Sequence, residues 1–355
     1  MNITVVFPTP EAWDTFVQAQ SGHFLQTARW GILKQATANW DYEIIALEQD
    51  GQLVAGAMVL YWQAPLRLGT VAYVPRGPVI DWNNDELVEA LLRSLDSAAH
   101  RHRAIILKIE PDLEDLPQMR NRLAGLGLKV SAHTIQPQNT ILVDVEGTEE
   151  SILARMNQGT RRKIRIAARR DVKIRHGKAE DIASFYSLMV LTGQRDDIGI
   201  RSLEYYQKTF GLFAPGQATL ILASYQEHDL GGIMALTIGK RAWYLYGASS
   251  NEERERMPNY AIQLEAIRWA REHGCIEYDL WGIPNVSEAI LEAQFQQRQD
   301  GMWGLYGFKR GFGGRIWHTI GAWDRPYNLL FYFLYKTAAG LRDWWRDKKH
   351  IVTTH

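Results

Sequence analysis

The pentapeptide Gly56-Ala57-Met58-Val59-Leu60 returns as Gly232-Ile233-Met234-Ala235-Leu236, and the segments around the two copies run in the same order. In the first copy, Tyr42–Glu48 and Leu53–Trp62 are β-rich runs joined by Asp50-Gly51, a dipeptide that favours a tight hairpin because both turn residues need positive φ. A short strand, Val71–Val74, follows, then the amphipathic stretch Asn84–His102 and the apolar run Ala104–Ile109. In the second, Ala218–Tyr225 and Leu230–Ile238 form the hairpin and Ala242–Tyr246 the next strand. Asn259–His273 is then a helix closed by Gly274, and Ile276–Leu280 the last strand. A chain with this pattern builds one module twice, and 355 residues fit about two domains.

The first copy is preceded by helical sequence. Thr9-Pro10-Glu11 sets an N-cap before a proline at the first helical position, and Thr27–Lys34 puts Trp30 and Leu33 on one side with Lys34 at the far end. Two helices, an antiparallel meander, a helix and a closing strand have the layout of the GNAT-like acyltransferase fold. The expected class is therefore α+β: tandem duplicated GNAT-like domains, each a mostly antiparallel twisted sheet flanked by helices. Such a layout fixes no chemistry by itself. Glu149–Lys173 reads as one helix between the copies, with acidic residues at its start. The boundary is set near residue 147. Residues 1–147, completed by the C-terminal segment 322–355, form the first domain, and residues 148–321 form the second.

Composition narrows the function classes. Hydrophobic residues make up 46% of the chain and it carries 13 Trp, enough for large cores. Forty basic and forty acidic side chains cancel, so any anion or nucleic-acid contact must come from local clustering. The single cysteine, Cys275, excludes an internal disulfide and a cysteine-rich metal site, and points to a reducing compartment. The N-terminus lacks the pattern of a signal peptide, and no apolar window is long enough to span a bilayer. The expected location is cytoplasmic, with peripheral contact at the inner face of the membrane as a further option. That option rests on the tail, where Tyr327, Leu329, Leu330, Phe331, Phe333, Leu334 and Tyr335 precede Leu341, Trp344 and Trp345, with Arg342, Arg346, Lys348 and Lys349. Such segments ordinarily close a core; a membrane surface is the other use.

Coenzyme-A enzymes of this fold hold the pyrophosphate on a glycine-rich turn at a helix N-terminus. Here the first equivalent turn, Val74-Pro75-Arg76-Gly77-Pro78-Val79, has prolines where donors are needed, and the second, Gly247–Arg254, carries Glu252 and Glu253. Neither looks built for coenzyme A. The motifs Phe24–Lys34, Val74–Pro78, Lys108-Ile109-Glu110-Pro111, Asn157–Arg165, Tyr246–Ser250, Pro258-Asn259-Tyr260, Tyr278–Gly282 and Gly307–Gly313 are individually weak. In this order, across nearly the whole chain, they resemble the Fem family of peptidoglycan-bridge aminoacyltransferases. The resemblance implies transfer of an amino acid from an aminoacyl-tRNA to the stem-peptide side-chain amine of a muramoyl-pentapeptide precursor (lipid-linked or nucleotide-linked), with no cofactor and no metal. It implies that Lys309 and Phe308 are catalytic, and that Lys34, Glu110, Arg201, Tyr205 and Tyr260 bind the precursor. Glu110 stands where the family often has aspartate. The helical-hairpin insertion of longer members is lacking, which makes this the shorter type.

The residues carry a physical case of their own. Gly301–Arg315 alternates glycines with aromatic and cationic residues, as expected of a loop that lets backbone approach a ligand, although a hairpin corner would look similar. An ester to tRNA is already activated, so aminolysis needs a neutral amine, alignment, and a positive group near the oxygen that gains charge. Lys309 could supply that charge, or relay a proton if burial lowers its pKa. Arg201 and Tyr205, at i and i+4, would share a helix face, whether for a phosphate or simply as a stacked surface pair. Lys34 and Glu110, without the family pattern, read as surface charges. The basic run Arg161, Arg162, Lys163, Arg165 and Arg169, continued by Arg170, Lys173 and Arg175, is either a solvated face or a local anion site, for tRNA phosphates (the preferred reading) or an acidic lipid surface. His100 and His102 face different ways on a helix, and no Gly-x-Ser-x-Gly elbow exists, so metal and serine hydrolases are unsupported. The rivals are a coenzyme-A-dependent N-acyltransferase using the second copy, and a noncatalytic module binding acidic lipid or tRNA.

Overall fold

The computed structural model of the chain describes residues 3–63, 69–298 and 300–337. It divides into two compact units, one of the described residues up to Gln138 and from Thr319 on, the other Asn139–His318.

In the first unit, β1 (Ile3–Val6), α1 (Pro10–Ala19) and α2 (Ala28–Ala38) lead into β2 (Asp41–Gln49), β3 (Gln52–Gln63) and β4 (Thr70–Pro75). Then come α3 (Asp85–Arg101), β5 (Ala104–Glu110), α4 (Pro117–Gly125) and β6 (Lys129–Val130). Asp50 and Gly51 both take positive φ, as their hairpin turn requires. Among the described residues of this unit only β4 and β5 pair in parallel; the returning strand Trp323–Pro326 pairs antiparallel with both β5 and β6. α3 forms because Asn84 accepts from the Leu87 N–H and Asp85 and Glu86 face the positive end of the helix dipole. Its Leu87, Leu91, Leu95 and Ala98, spaced by three and four, bury against Ile45, Val59, Val74 and Leu107. Each fully buried leucine there contributes roughly 2 kcal/mol.

The second unit holds β7 (Asn139–Asp144), α5 (Glu149–Arg155), α6 (Gln158–Arg169), β8 (Lys173–Gly177), α7 (Ile182–Asp196) and α8 (Leu203–Phe213). They are followed by β9 (Ala218–Tyr225), β10 (His228–Ile238), β11 (Arg241–Ser249), α9 (Pro258–Glu272), β12 (Glu277–Gly282), α10 (Glu288–Gln294), α11 (Trp303–Lys309) and β13 (Arg315–His318). Its sheet order, β8-β9-β10-β11-β12-β7-β13, repeats the first, β1 to β5 then the returning strand and β6, and again one pair, β11 and β12, is parallel. The repeated glycines have one physical reason. A Cβ on Gly56 would meet the Trp13 ring of α1 at 2.6 Å, and one on Gly232 would meet Leu222 at 2.6 Å and the Phe185 ring of α7 at 3.1 Å. In each unit a helix aromatic lies on the bare strand.

Several expectations are corrected. Glu149–Lys173 is not one helix: Met156 is extended, Asn157 caps α6 by accepting from the Thr160 N–H, and Lys173 opens β8. The glycine-rich stretch is neither loop nor hairpin corner but α11, a 3₁₀ turn over Arg310–Phe312, and Gly313 at φ +79 before β13. A Cβ on Gly313 would meet the Arg155 carbonyl oxygen at 2.1 Å, so that residue is glycine for close backbone approach. The boundary expected near residue 147 falls after β7, which pairs with β12 and β13 and so belongs to the second unit. Leu341, Arg342, Trp344, Trp345, Arg346, Lys348 and Lys349 lie outside the described residues. Among the described residues no helix is long and apolar enough to cross a membrane.

Candidate active site

The site grows out of the one parallel pair of the second sheet. β11 and β12 pair only from Arg241–Glu277 to Trp243–Asp279; beyond that, β12 bends at Trp281, whose φ is +63. Asp279 fixes the bend: its buried carboxylate accepts from the Trp281 N–H at 2.7 Å and from the Thr140 hydroxyl. The strands part, and carbonyls that would have continued the ladder need another donor. Lys309, at the end of α11, provides it. Its Nζ donates to the Gly282 carbonyl at 2.7 Å and the Trp281 carbonyl at 3.3 Å, and only 4% of the residue is exposed. Burial pulls the ammonium down to about 8, and the Asp279 carboxylate opposes that shift.

Beside it lies a cavity of about 460 Å³ whose wall includes Tyr244, Gly247 and Ser250 of β11 and its turn, Asn259 and Tyr260 at the start of α9, and Phe308 of α11. Tyr244 belongs to that wall, and its ring centre lies 5.7 Å from Lys309 Nζ. A β-bulge between Met234 and Ala235 leaves Leu245 unpaired and re-aims β11 at this point. The Tyr244 hydroxyl lies 1.8 Å from where a Gly247 Cβ would be, so the ring folds back over bare backbone. No hydrogen-bond partner for this hydroxyl exists among the described residues, and burial pushes it up to about 12. α9 begins without a side-chain cap, at Met257 with φ +59, and its N-terminus faces the same space. Arg254, exposed, and Glu252 also line the cavity, whereas Glu253 is engaged by Arg256 at 2.6 Å.

The anticipated residues divide. Tyr260 packs edge-on against Phe308 at 4.9 Å between ring centres, and its hydroxyl accepts from Lys163 Nζ at 2.8 Å, so Lys309, Phe308, Tyr260 and Lys163 are gathered in one place. Arg201 is not on a helix with Tyr205: Ser202 caps α8, and Arg201 lies outside it, though its guanidinium still sits 5.4 Å from the Tyr205 ring centre. Tyr205 is itself buried, its hydroxyl accepting from Tyr246 at 3.1 Å, so Arg201 is the exposed member.

In the first unit, Lys34 lies within α2, half-buried, its Nζ 4.5 Å from the Trp30 ring centre. Glu110 is no surface charge: it is 1% exposed, accepts from the Tyr73 hydroxyl and from the N–H groups of Ile135 and Gln136, and burial raises its pKa. Its carboxylate holds the 135–136 loop.

The basic run also splits. Arg161 turns back onto the carbonyls of Leu153, Ala154 and Met156 at the end of α5, and Lys163 is held by Tyr260. Arg162, Arg165 and Arg169, at i, i+3 and i+7, are the exposed face.

Asp279 and Tyr244 are the residues that sequence reasoning passed over. Asp279 lies within the motif Tyr278–Gly282, and Tyr244 lies within the second copy's third strand, where only a bulge distinguishes it from a core aromatic. Among the described residues no three His, Cys, Asp or Glu side chains gather as a metal site would.

The FemAB family model matches this chain over residues 9–122, 113–229 and 224–339. The chain belongs to the FemAB family. A lipid II:glycine glycyltransferase of Staphylococcus epidermidis is 26% identical to it over 406 aligned residues, covering 94% of both chains. One from Staphylococcus aureus is 27% identical over 404 residues, covering 92% of this chain and 93% of the other. The crystal structure of FemX superposes with a TM-score of 0.85 at 24% identity over 94% of this chain and all of that one. A tandem GNAT protein from the clavulanic acid biosynthesis pathway superposes at 0.54 with 13% identity, over 92% and 98% of the two chains. This FemAB-family chain is thus a duplicated GNAT-like protein and an acyltransferase.

Proposed function

We propose that this chain moves an amino acid from an aminoacyl-tRNA to the side-chain amine of a peptidoglycan stem peptide, building the bridge between stem peptides. The curated relatives are named for glycine and lipid II, which makes glycyl-tRNA and a lipid-linked precursor the first substrates to try. The observation carrying the reading is the buried Lys309 ammonium at the parting of β11 and β12, beside a cavity that opens at a helix N-terminus. The aminoacyl end of the donor enters that cavity, where the α9 N-terminus and Arg254 suit a phosphate of the tRNA acceptor end. The acceptor nitrogen attacks the ester carbonyl carbon; the C–N bond forms, the bond from that carbon to the ribose oxygen breaks, and the amine's proton ends on the ribose hydroxyl. Lys309 places positive charge where the carbonyl oxygen becomes negative, and Tyr244 offers a free hydroxyl to the same bound acyl group. Phe308 and Tyr260 close the wall against water. Lys34 and Arg201 hold the precursor's diphosphate and peptide, Tyr205 backs Arg201, and Glu110 acts through the loop it anchors.

The test is to incubate the protein with charged tRNA and a muramoyl-pentapeptide precursor, then weigh the product. One added residue is expected, formed about 10²- to 10³-fold more slowly by Lys309→Met. A mass unchanged with every aminoacyl-tRNA, together with thermal stabilisation by acetyl-CoA, would assign the cavity to coenzyme A instead.

A further inference from the structure

Within the first unit, the chain leaves the returning strand at Pro326 and is helical over 329–337. Asn328 starts this helix, its side chain accepting from the Phe331 N–H at 3.2 Å. One side faces the sheet: Phe331, Tyr332 and Tyr335 pack on Val71, Ile105 and Ile106. The Tyr332 hydroxyl donates to Asp324 at 3.1 Å, and Asp324 in turn pairs with fully buried Lys108 at 2.8 Å. These contacts fix which side points out. On that side Leu329, Leu330, Phe333 and Leu334 are 70, 68, 67 and 50% exposed. A helix apolar on both faces is ordinarily covered on both, and four adjoining large apolar side chains in water mark an interaction surface.

We propose that this outward face docks on an anionic lipid bilayer. Two observations choose the occupant. Lys336 on the same helix is exposed, and the chain immediately beyond it carries Arg342, Arg346, Lys348 and Lys349 against Asp343 and Asp347, with Trp344 and Trp345 among them. Apolar side chains flanked by tryptophans and cations are the composition of an interfacial segment, complementary to acidic headgroups. A second copy of the chain seated on this helix would bring like charge, that of Lys336, beside like charge. Docking here carries the first unit to the surface in which a lipid-linked acceptor is anchored; that consequence rests on the proposed function, whereas the docking does not.

The test uses the full chain and sedimentation with vesicles of phosphatidylcholine alone or mixed with phosphatidylglycerol. Wild type is expected to bind the mixed vesicles at least about tenfold more tightly than the neutral ones. The L330E/F333E variant, whose changes lie only on the outward face, is expected to lose that binding with its melting temperature preserved. It should also keep wild-type transfer to a water-soluble nucleotide-linked precursor while losing transfer to a vesicle-embedded one. Equal vesicle binding by variant and wild type, or none by either, overturns the proposal. So does a wild-type dimer dissolved by the variant, which makes a second copy the occupant, or binding that appears only after residues 338–355 are removed, which makes the tail the cover. Vesicle binding without transfer to any acceptor leaves the docking standing and refutes the enzymatic reading alone.

Discussion

Lys309 Nζ lies 2.7 Å from the carbonyl oxygen of Gly282, so the ammonium is held by backbone rather than by a carboxylate. Asp279 acts on it only through space, so in the proposed reaction its charge is available to an oxygen that becomes negative during transfer. Lys309→Met is expected to lower kcat by about 10²- to 10³-fold, the cost of removing one such donor. Because burial brings the group down to about 8, wild-type kcat should bend downward above that pH as the ammonium is lost. The residual rate of Lys309→Met should instead keep rising with pH as the acceptor amine deprotonates. Stability runs the other way. Between about 8 and the ordinary lysine value of 10.5 the unfolded chain binds more protons than the folded one, so this group makes the fold more stable as pH rises through that window. Denaturant midpoints of wild type and Lys309→Met across pH 7.5 to 10.5, an interval of roughly three units spanning that window, check the slope.

Tyr244 and Gly247 form a second testable pair. Tyr244→Phe removes only the unpartnered hydroxyl, and loss of one neutral hydrogen bond to the bound acyl group should cost about tenfold in kcat with the melting temperature kept. Gly247→Ala puts a methyl where that hydroxyl lies and should cost at least as much. The double variant is expected to fall no further than Gly247→Ala alone, because both changes act on one contact. Additive losses in steady-state rates would count against the shared role.

The duplication was legible because hairpin, strand, helix and strand each carry a local signature: Asp50-Gly51, Gly274, and the spacing of Leu87, Leu91 and Leu95. The strands β7 and β13 and the returning strand were not, since each is short and finds its partner across a long stretch of chain, which no local period records. Lys309 could be singled out by its motif, but its helical setting could not. Helix propensity disfavours Gly304, Gly307 and Gly311, and tertiary packing of Trp303 and Tyr306 overrides it. Glu110 looked like a surface charge because burial of a carboxylate depends on donors, Tyr73 and the 135–136 loop, that are remote in sequence.

The split of the basic helix separates binding from folding. Replacing Arg162, Arg165 and Arg169 together by alanine should weaken tRNA binding and reduce the slope of log affinity against log salt by about 2, at unchanged melting temperature. Arg161→Ala should do the reverse, costing about 1 kcal/mol of stability through the uncapped carbonyls of α5, with the salt slope kept. Equal salt slopes in wild type and the triple variant would remove this face from the tRNA path.

Arg201 is exposed, has no acidic partner among the described residues, and is braced by the Tyr205 ring. A guanidinium kept free in this way is available to a phosphate, and its fork geometry favours two parallel hydrogen bonds. If it grips the precursor equally in ground and transition states, Arg201→Ala should raise the acceptor KM by about ten- to a hundredfold and leave kcat near wild type. Arg201→Lys should recover only part of the loss, because a point charge does not replace the fork. Tyr205→Phe should leave the acceptor KM almost unchanged, since the ring that supports Arg201 remains and only the buried hydroxyl contact with Tyr246 is lost. Steady-state kinetics with the acceptor varied at saturating donor decide it: a fall in kcat at constant KM for Arg201→Ala would move this residue from holding the precursor to the chemical step.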